Sequence, residues 1–521
     1  MRALFLILLL PVAVCSLNIL FYISVIAQSH IPFTNTAINL LLSKGHTVDV
    51  VIARYSAVVK ITLPKGVRRN YSYGFEDTEY WAKHTHYLQN IFEKKPTPMA
   101  EFVNYDKPAF TLCEIAVRDS SLFEYIKEGH YDIGIGSDYD PCANVIMHAA
   151  GVPAKASLIP TPMFQPHVIN AGLPSPASLY GTVLYPKPDG SLAYRVFDLI
   201  RHTYNLYFVI PKLLDKYNDL LQNTFGPSFP DVQEIERNVD VILVNSNEII
   251  EKPRPISHKI KYIGGIGKRK PNPLSKELDD LLDSPAKGVV LFSFGTQVPT
   301  KRVPLEIRKN FVAAFKTFPD FLFLWKYDNL TDDSEMFADV KNIHRLEWLP
   351  QTDLLGDHRV KAFISHMGLN SFLETCAAGV PVLSIPLFID QQHNAFNAAD
   401  REIGVIVDRD RLTVDNLVSA LRELLNNPKY YQNAQKIAQM MAQKPEKAEE
   451  QFIEWIEFAA RNPGLHEVLN LPGAELTPFW YYCLDVVAVC LASVSIAFFV
   501  IFKILLRLTR RVPTGSKPKF E

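Results

Sequence analysis

At 521 residues the chain exceeds one ordinary hydrophobic core, and its globular composition predicts two domains of roughly 200 residues each. A formal net charge of -1 excludes bulk attraction to nucleic acid, so no nucleic-acid partner is expected. The 36 prolines are spread along the chain, no solenoid-period repeat is present, and the expectation is a folded protein.

The opening stretch carries Arg2, the apolar run ALFLILLLPVAV, and then Ala13 and Cys15 at the small-residue positions of a cleavage site. It reads as a secretory signal over 1–15, with the mature chain starting near Ser16. NILFYISVI is an apolar, β-branched run of strand character. TNTAINLLLSKG reads as a helix closed by Gly45, and HTVDVVIA as the next strand. The alternation continues through YDIGIG and AKASLI, which predicts a parallel sheet flanked by helices. From about Pro174 to Gln233 the pattern becomes helical, aromatic and proline-bearing, as in an insertion that shapes a pocket. VDVILVNSN resumes strand character, and the first domain is assigned to 16–262.

The stretch that follows is rich in Pro, Gly and charge, and residues 263–285 are assigned as an interdomain linker. Beyond it KGVVLFSFG, FLFLWKYD, VKAFISH, VPVLSIPL and GVIVD read as five short buried strands separated by helices. That predicts a second doubly wound α/β domain over 286–460, whose ligands would sit at the carboxyl ends of the strands. The fold class is therefore α/β, with two Rossmann-like doubly wound domains facing a cleft. A membrane-proximal segment over 461–483 then leads to a transmembrane helix over 484–506, where Val486 to Phe502 gives 17 uncharged residues. Trp480, Tyr481 and Tyr482 precede the span; Arg507, Arg510 and Arg511 follow it, the aromatic-interface and basic-inside pattern.

This topology is a lumenal body, one span and a cytoplasmic tail over 507–521, in which Lys517 and Lys519 resemble dilysine signals of the endoplasmic reticulum. The single-pass type I chain is expected in that membrane, and the sequons at Asn70 and Asn329 are candidate glycosylation sites compatible with the lumen. The six cysteines suggest no disulfide framework. Cys15 leaves with the signal and Cys483 and Cys490 lie at or in the span, so any bridge among Cys113, Cys142 and Cys376 leaves one thiol over. No CxxC or His-rich cluster suggests a metal, and no cofactor is expected.

Two strand ends in the second domain carry polar groups. VVLFSFGT delivers Ser293, Gly295 and Thr296 into a turn before a helix, where N–H groups and hydroxyls can hold phosphate oxygens; an ordinary strand-to-helix turn has the same residues. AFISHMGLNSFLE places His366 before a helix starting near Gly368 to Asn370, with Ser371 at the entrance and Glu374 a turn from Asn370. A diphosphate would meet the first-turn N–H groups and the imidazole, leaving Glu374 for a ribose diol. Ser371 with Glu374 also fits a capping box, which leaves His366 unexplained.

The stretch from Trp348 to Ala398, WLPQTDLLGDHRVKAFISHMGLNSFLETCAAGVPVLSIPLFIDQQHNAFNA, strongly resembles the donor-binding signature of UDP-glycosyltransferases. With YIGGIG, GVVLFSFGT and the terminal span, the whole chain resembles the membrane-anchored UDP-glucuronosyltransferase branch, a GT-B type fold. The resemblance implies that Trp348 stacks on uracil and Gln351 contacts the nucleoside. It also implies that His366 and the turn from Gly368 through Asn370 to Ser371 hold the diphosphate, and that Glu374 binds the ribose. Asp390 and Gln391 would bind the sugar hydroxyls. Arg254 matches a position linked to the donor's sugar acid, although its PRP setting also suits a rigid linker.

The resemblance further places the catalytic base at His30, 16 residues before His46. An acid after the YDIGIG strand would orient it. Ser137 stands at the expected position and Asp138 one residue later, so Asp138 serves only if the loop shifts by one. The implied reaction is inverting, metal-independent glycosyl transfer from UDP-glucuronate to hydroxyls of small lipophilic acceptors. Transfer from UDP-glucose or another UDP-hexose is one alternative. The other is a catalytically weakened UDP-sugar-binding partner that associates with active relatives as a homo- or hetero-oligomer. Met367 replaces the first glycine of the family's His-Gly-Gly turn, and Met367→Gly is expected to leave the fold intact and tighten donor binding.

Overall fold

A computed structural model of the chain describes residues 16–25, 30–55, 59–75, 91–92, 98–137, 140–174, 191–284, 286–296 and 298–509. The signal segment, Asp138 and the dilysine tail lie outside them. The chain forms two compact units, 1–470 and 471–521.

The larger unit contains two sheets. β1 (Asn18–Val25), β2 (Thr47–Arg54), β3 (Asn70–Gly74), β4 (Ile133–Ser137), β5 (Ala154–Ile159), β6 (Val241–Val244) and β7 (Ile260–Tyr262) form a seven-stranded sheet of order β3-β2-β1-β4-β5-β6-β7. β8 (Gly288–Ser293), β9 (Phe321–Lys326), β10 (Ile343–Leu346), β11 (Val360–Ser365), β12 (Val382–Ser384) and β13 (Gly404–Ile406) form a six-stranded sheet of order β10-β9-β8-β11-β12-β13. Neighbouring strands pair in parallel throughout. Helices cover both faces of such sheets, so central strands are buried on both sides and read as unbroken apolar runs. β4, β5, β6, β8 and β12 fit that rule.

The second sheet has six strands where the sequence pattern shows five. The added strand, Ile-His-Arg-Leu, is an edge strand with only its first residue buried. β3 and β7 are likewise short, half-exposed edges of the first sheet. In both sheets the strand order reverses beside the first strand, between β1 and β4 and between β8 and β11. Those switch points open crevices at the carboxyl ends of the strands.

The core of the second sheet is aromatic, with Phe292, Phe311, Phe315, Phe323 and Trp325 packed together and Phe315 stacked on Phe323 at 4.0 Å between ring centres. Helix Ala448–Arg461, from the far end of the unit, sends Phe452, Ile456 and Ala459 into the core of the first sheet. The insertion contains helix Leu192–Tyr204, a π turn at Asn205–Val209 and helix Ile210–Phe225 in unbroken succession. Pro211, in the first turn of the last piece, has no N–H to donate to the carbonyl four residues back, which suits the widened turn there.

One cystine joins Cys113, on helix Pro98–Arg118, to Cys142, on helix Pro141–Ala149, and Cys376 stays a buried thiol. A single bridge is no framework, and it leaves one thiol over, as the count of three cysteines in the body requires. The two partners lie 29 residues apart on different helices, and sequence spacing does not reveal that they meet. The smaller unit contains helix Leu484–Thr509, 26 residues long, predominantly apolar with charges only at Asp485, Lys503 and Arg507, and with none of its residues buried. At 1.5 Å per residue the helix is about 39 Å long, enough to cross a bilayer.

Candidate functional site

The switch point of the second sheet is built from three serines in one row. Ser293, Ser365 and Ser384 stand opposite one another at the ends of β8, β11 and β12, all buried. Two of them turn the chain locally: Ser293 Oγ accepts the N–H of Gly295 at 3.1 Å, and Ser365 Oγ accepts the N–H of Met367 at 3.0 Å. Such two-residue Ser turns compete with strand extension and end the ladder there.

His366 lies between these two turns and is 8 % exposed. Gly295 and Gly368 bracket its ring. A Cβ on Gly295 would lie 2.7 Å from the imidazole Cε1, and a Cβ on Gly368 would lie 2.7 Å from Nε2. Both glycines are therefore steric requirements of the histidine, and Gly295 also has φ +74. Burial pushes the His366 pKa down to about 4, with the Ser293 backbone opposing it, so the ring is neutral at neutral pH.

Helix Leu369–Ala378 starts next to the ring, with Gly368 as N-cap and no side chain capping its first turn. Ser371 is not that cap, which removes the capping-box alternative. Its Oγ accepts from Gln351 Nε2 at 3.1 Å, and the same nitrogen donates to Glu374 Oε2 at 2.7 Å. Gln351, Ser371 and Glu374 thus form one cluster. Burial raises the Glu374 pKa, while Gln351, Lys268 and Arg269 work against that rise. Asn370 Oδ1 accepts from Asn245 Nδ2, at the end of β6, at 3.3 Å. Trp348 is 68 % exposed, an open indole face beside this cluster's helix Gln351–Leu355, and Thr296 is exposed.

Met367 has φ +67, the left-handed conformation expected for a glycine there. Its side chain is fully buried in a cluster with Ile250, Phe372, Ala395 and Ile403. The methionine is therefore a core residue that also shapes the turn, so replacing it bears on packing as well as on backbone strain.

Asp390 and Gln391 begin helix Gln391–Asp400. Gln391 Oε1 accepts the N–H groups of Leu387 (2.8 Å) and Phe388 (3.1 Å), so this oxygen closes the loop before the helix. Asp390 Oδ2 accepts from Asn394 Nδ2 at 3.0 Å, and burial raises the Asp390 pKa to about 6. Asn394 also donates to the Met367 carbonyl at 2.9 Å, tying the Asp390 helix to the His366 turn. Only the i,i+4 spacing of Asp390 and Asn394 hints at this bridge in the sequence.

Arg254 is half-buried, and its charge helps hold the Glu251 pKa down at about 2, after His393 and Ser246. His393 Nε2 lies 2.8 Å from Glu251 Oε2, and Ser246 Oγ donates to Glu251 Oε1 at 2.7 Å. This buried pair joins the segment after β6 to the Asp390 helix, and nothing in the local sequence signals it.

At the other switch point His30 is the first residue of helix His30–Ser43, and burial lowers its pKa to about 4. Asp138 lies outside the described residues. Asp140, three residues beyond Ser137, is buried and caps helix Pro141–Ala149 by accepting the Cys142 N–H at 2.9 Å. Ser24, at the end of β1, donates to its other oxygen at 3.3 Å. Burial raises the Asp140 pKa to about 6, against the Cys142, Tyr55 and Ser24 hydrogen bonds. Asn70 and Asn329 are exposed. Among the described residues no group of three His, Cys, Asp or Glu side chains is arranged to hold a metal ion.

Residues 21–518 match the family model described as UDP-glucuronosyl and UDP-glucosyl transferase. A Caenorhabditis elegans chain named as a UDP-glucuronosyltransferase is 28 % identical, covering 82 % of this chain and 80 % of its own length. The Rattus norvegicus UDP-glucuronosyltransferase 2B1 is 26 % identical over 93 % of this chain and 92 % of its own, and UDP-glucosyltransferase 2 of Dactylopius coccus is 26 % identical over 92 % and 90 %. Among solved structures, the calicheamicin glycosyltransferase CalG4 superposes with a TM-score of 0.58 at 13 % identity, covering 86 % of this chain and 99 % of its own. Phytolacca americana UGT2, complexed with UDP-2-fluoro-glucose and pterostilbene, superposes with a TM-score of 0.55 at 14 % identity, over 85 % and 99 %. These likenesses show the GT-B fold.

Proposed function

The chain belongs to the UDP-glucuronosyl and UDP-glucosyl transferase family, and on that premise we propose that it transfers glucuronate from UDP-glucuronate to hydroxyl groups of small lipophilic acceptors. The observation that carries the reading is the bracketed His366 beside an uncapped helix start at the β8/β11 switch point. A buried neutral imidazole and converging N–H groups suit a diphosphate, and the same groups stabilise it as it departs. Glu374 with Gln351 faces the ribose, Trp348 offers its indole to the base, and Asp390 serves the sugar hydroxyls. His30 takes the acceptor proton, and the reaction proceeds without a metal. The body is lumenal, and helix Leu484–Thr509 anchors it in the endoplasmic reticulum membrane; Asn70 and Asn329 are its glycosylation sites.

A second reading, transfer from a UDP-hexose, is favoured by the Arg254 environment. The buried carboxylate of Glu251 already draws on the cation that a sugar acid would need. Product analysis with labelled UDP-glucuronate and UDP-glucose on a panel of phenols separates the two. Glucuronide formation that is lost in His30→Ala with retained UDP binding is the expected result; preference for UDP-glucose rejects the first reading, and absence of turnover with either sugar favours a binding partner.

A further inference from the structure

We propose that Arg269 and Asp353 are positioning residues of the donor site, the pair through which the chain segment after β7 seats the helix that reads the nucleoside. Helix Gln351–Leu355 has five residues, too few to hold its own shape in water. Leu354 and Leu355 pack its inner face into the core of the second sheet, a contact without directional preference. Direction comes from Asp353. Its Oδ1 accepts from Arg269 Nη1 and from the Asn272 N–H, the latter at 2.6 Å, and its Oδ2 accepts from Arg269 Nη2 at 2.8 Å. Three donors on one carboxylate, two of them from one planar guanidinium, fix it in angle as well as in distance. Arg269 and the Asn272 N–H hold the Asp353 pKa below the ordinary carboxylate range.

A lone exposed ion pair contributes little, and Arg269 is 46 % exposed. What gives this pair weight is how tightly the segment around it is held. A Cβ on Gly264 would meet the Ser246 carbonyl oxygen, just past β6, at 2.5 Å, and a Cβ on Gly267 would lie 2.1 Å from Thr36 Cγ2, on helix His30–Ser43. The Gly267 N–H donates to Glu449 Oε1, on helix Ala448–Arg461, at 3.0 Å. Pro271 closes on the end of the Gln351 helix, where a Cβ on Gly356 would lie 2.3 Å from Pro271 Cγ. The segment is thus wedged against helices of the first sheet just before Arg269 and against the Gln351 helix just after it. A shift of that helix strains the pair instead of carrying Arg269 along. Gln351, its first residue, donates to Ser371 and Glu374, and Lys268 and Arg269 join Gln351 in opposing the burial-driven rise of the Glu374 pKa. One segment therefore sets both the place of Gln351 and the charge beside Glu374. Misplacing an orienting group by about 1 Å costs up to about a hundredfold in rate, and here the loss belongs to the nucleoside half of the donor, away from the phosphates at the His366 turn. The inference rests on the reading that this site binds UDP.

The test uses the full chain in detergent micelles and two probes, UDP and inorganic diphosphate, the first by binding of radiolabelled UDP and the second by its displacement. Arg269→Ala and Asp353→Asn should each weaken UDP by about fivefold or more while leaving diphosphate within about twofold, because only the nucleoside contacts are displaced. Arg269→Lys, a point charge without the planar fork, should fall between Arg269→Ala and the wild type. The double variant should bind UDP no worse than either single one, since the two residues act as one contact. In turnover the KM for the UDP-sugar should rise with the UDP dissociation constant while kcat changes less than about twofold. Unchanged UDP affinity in both single variants overturns the inference, as does an equal loss of UDP and diphosphate, which would mark general damage to the site. A wild type that binds diphosphate as well as UDP rejects the UDP reading and the inference with it; a wild type that prefers UDP, with variants that keep the same preference, rejects the inference alone.

Discussion

His366 shows how one side chain dictates the residues around it. Because a Cβ at Gly295 or Gly368 would overlap the ring, Gly295→Ala must displace the imidazole, and its φ of +74 adds a left-handed penalty of about 1 kcal/mol. A displaced ring should weaken UDP binding by about tenfold or more, equivalent to ~1.4 kcal/mol, as titration calorimetry would show. Unchanged affinity would remove His366 from the donor site. Met367 works in the opposite sense. Glycine at this position relieves about 1–2 kcal/mol of left-handed strain but empties a fully buried site, where large-to-small changes cost about 2–5 kcal/mol. Met367→Gly should therefore be less stable by up to about 4 kcal/mol in denaturant unfolding, with UDP affinity no better than wild type. A tighter donor complex in an equally stable protein would mean that strain in the turn, rather than packing, is what this methionine contributes.

At the scale of the element, the two switch points repeat one plan, adjacent parallel strands of which β4, β8 and β11 end in serine, each pair followed by a helix that begins beside a neighbouring strand's end. The central strands were legible because burial on both faces gives continuous apolar runs; β3, β7 and β10 were not, since a half-exposed edge three to five residues long has no such pattern. At the first switch point Asp140 joins the end of β1 to the start of helix Pro141–Ala149. Its folded pKa, about 6, lies above the ordinary aspartate value of 3.8, so the stability tied to it is fully present below about pH 3.8 and is lost as pH rises through 6. Two pKa units correspond to roughly 3 kcal/mol. Asparagine keeps the cap and cannot ionise, so the stability of Asp140→Asn relative to wild type should grow by about 1–3 kcal/mol between pH 4 and pH 7, measured by urea unfolding. A constant difference across that range would show that Asp140 is not a buried titrating carboxyl. Burial lowers the His30 pKa to about 4, so this imidazole is half protonated at pH 4 and neutral by pH 7, and the base catalysis proposed for it should have its acid limb near pH 4 rather than 6.5.

In the whole molecule, what the sequence concealed is the set of partners that only the assembled fold brings together. The stretch that resembles a donor signature is contiguous, so the sequence alone names His366, Glu374 and Asp390 as candidates. Cys113 with Cys142, Asn394 with the Met367 carbonyl, and Glu251 with His393 are pairings between separate elements, the last spanning 142 residues. Glu251 matters beyond its own contacts because Arg401 also donates to its backbone carbonyl at 2.7 Å and Ile250 packs beside Met367. The segment leaving the first sheet is thus held to the helix that presents Asp390. Replacing the carboxylate by an amide removes the charge facing His393 and leaves one neutral acceptor where His393 and Ser246 each have an oxygen, and breaking a buried ion pair costs about 3–5 kcal/mol. Glu251→Gln should therefore raise the KM for the UDP-sugar several-fold and lower thermal stability. His393→Gln should do the same, and the double variant should be no worse than either single one. The coupling read from that cycle, on KM and on stability together, is the check. Additive losses would mean that the two residues act independently, and the link between the sheets and the donor site would have to run through Asn245 and Asn370 instead.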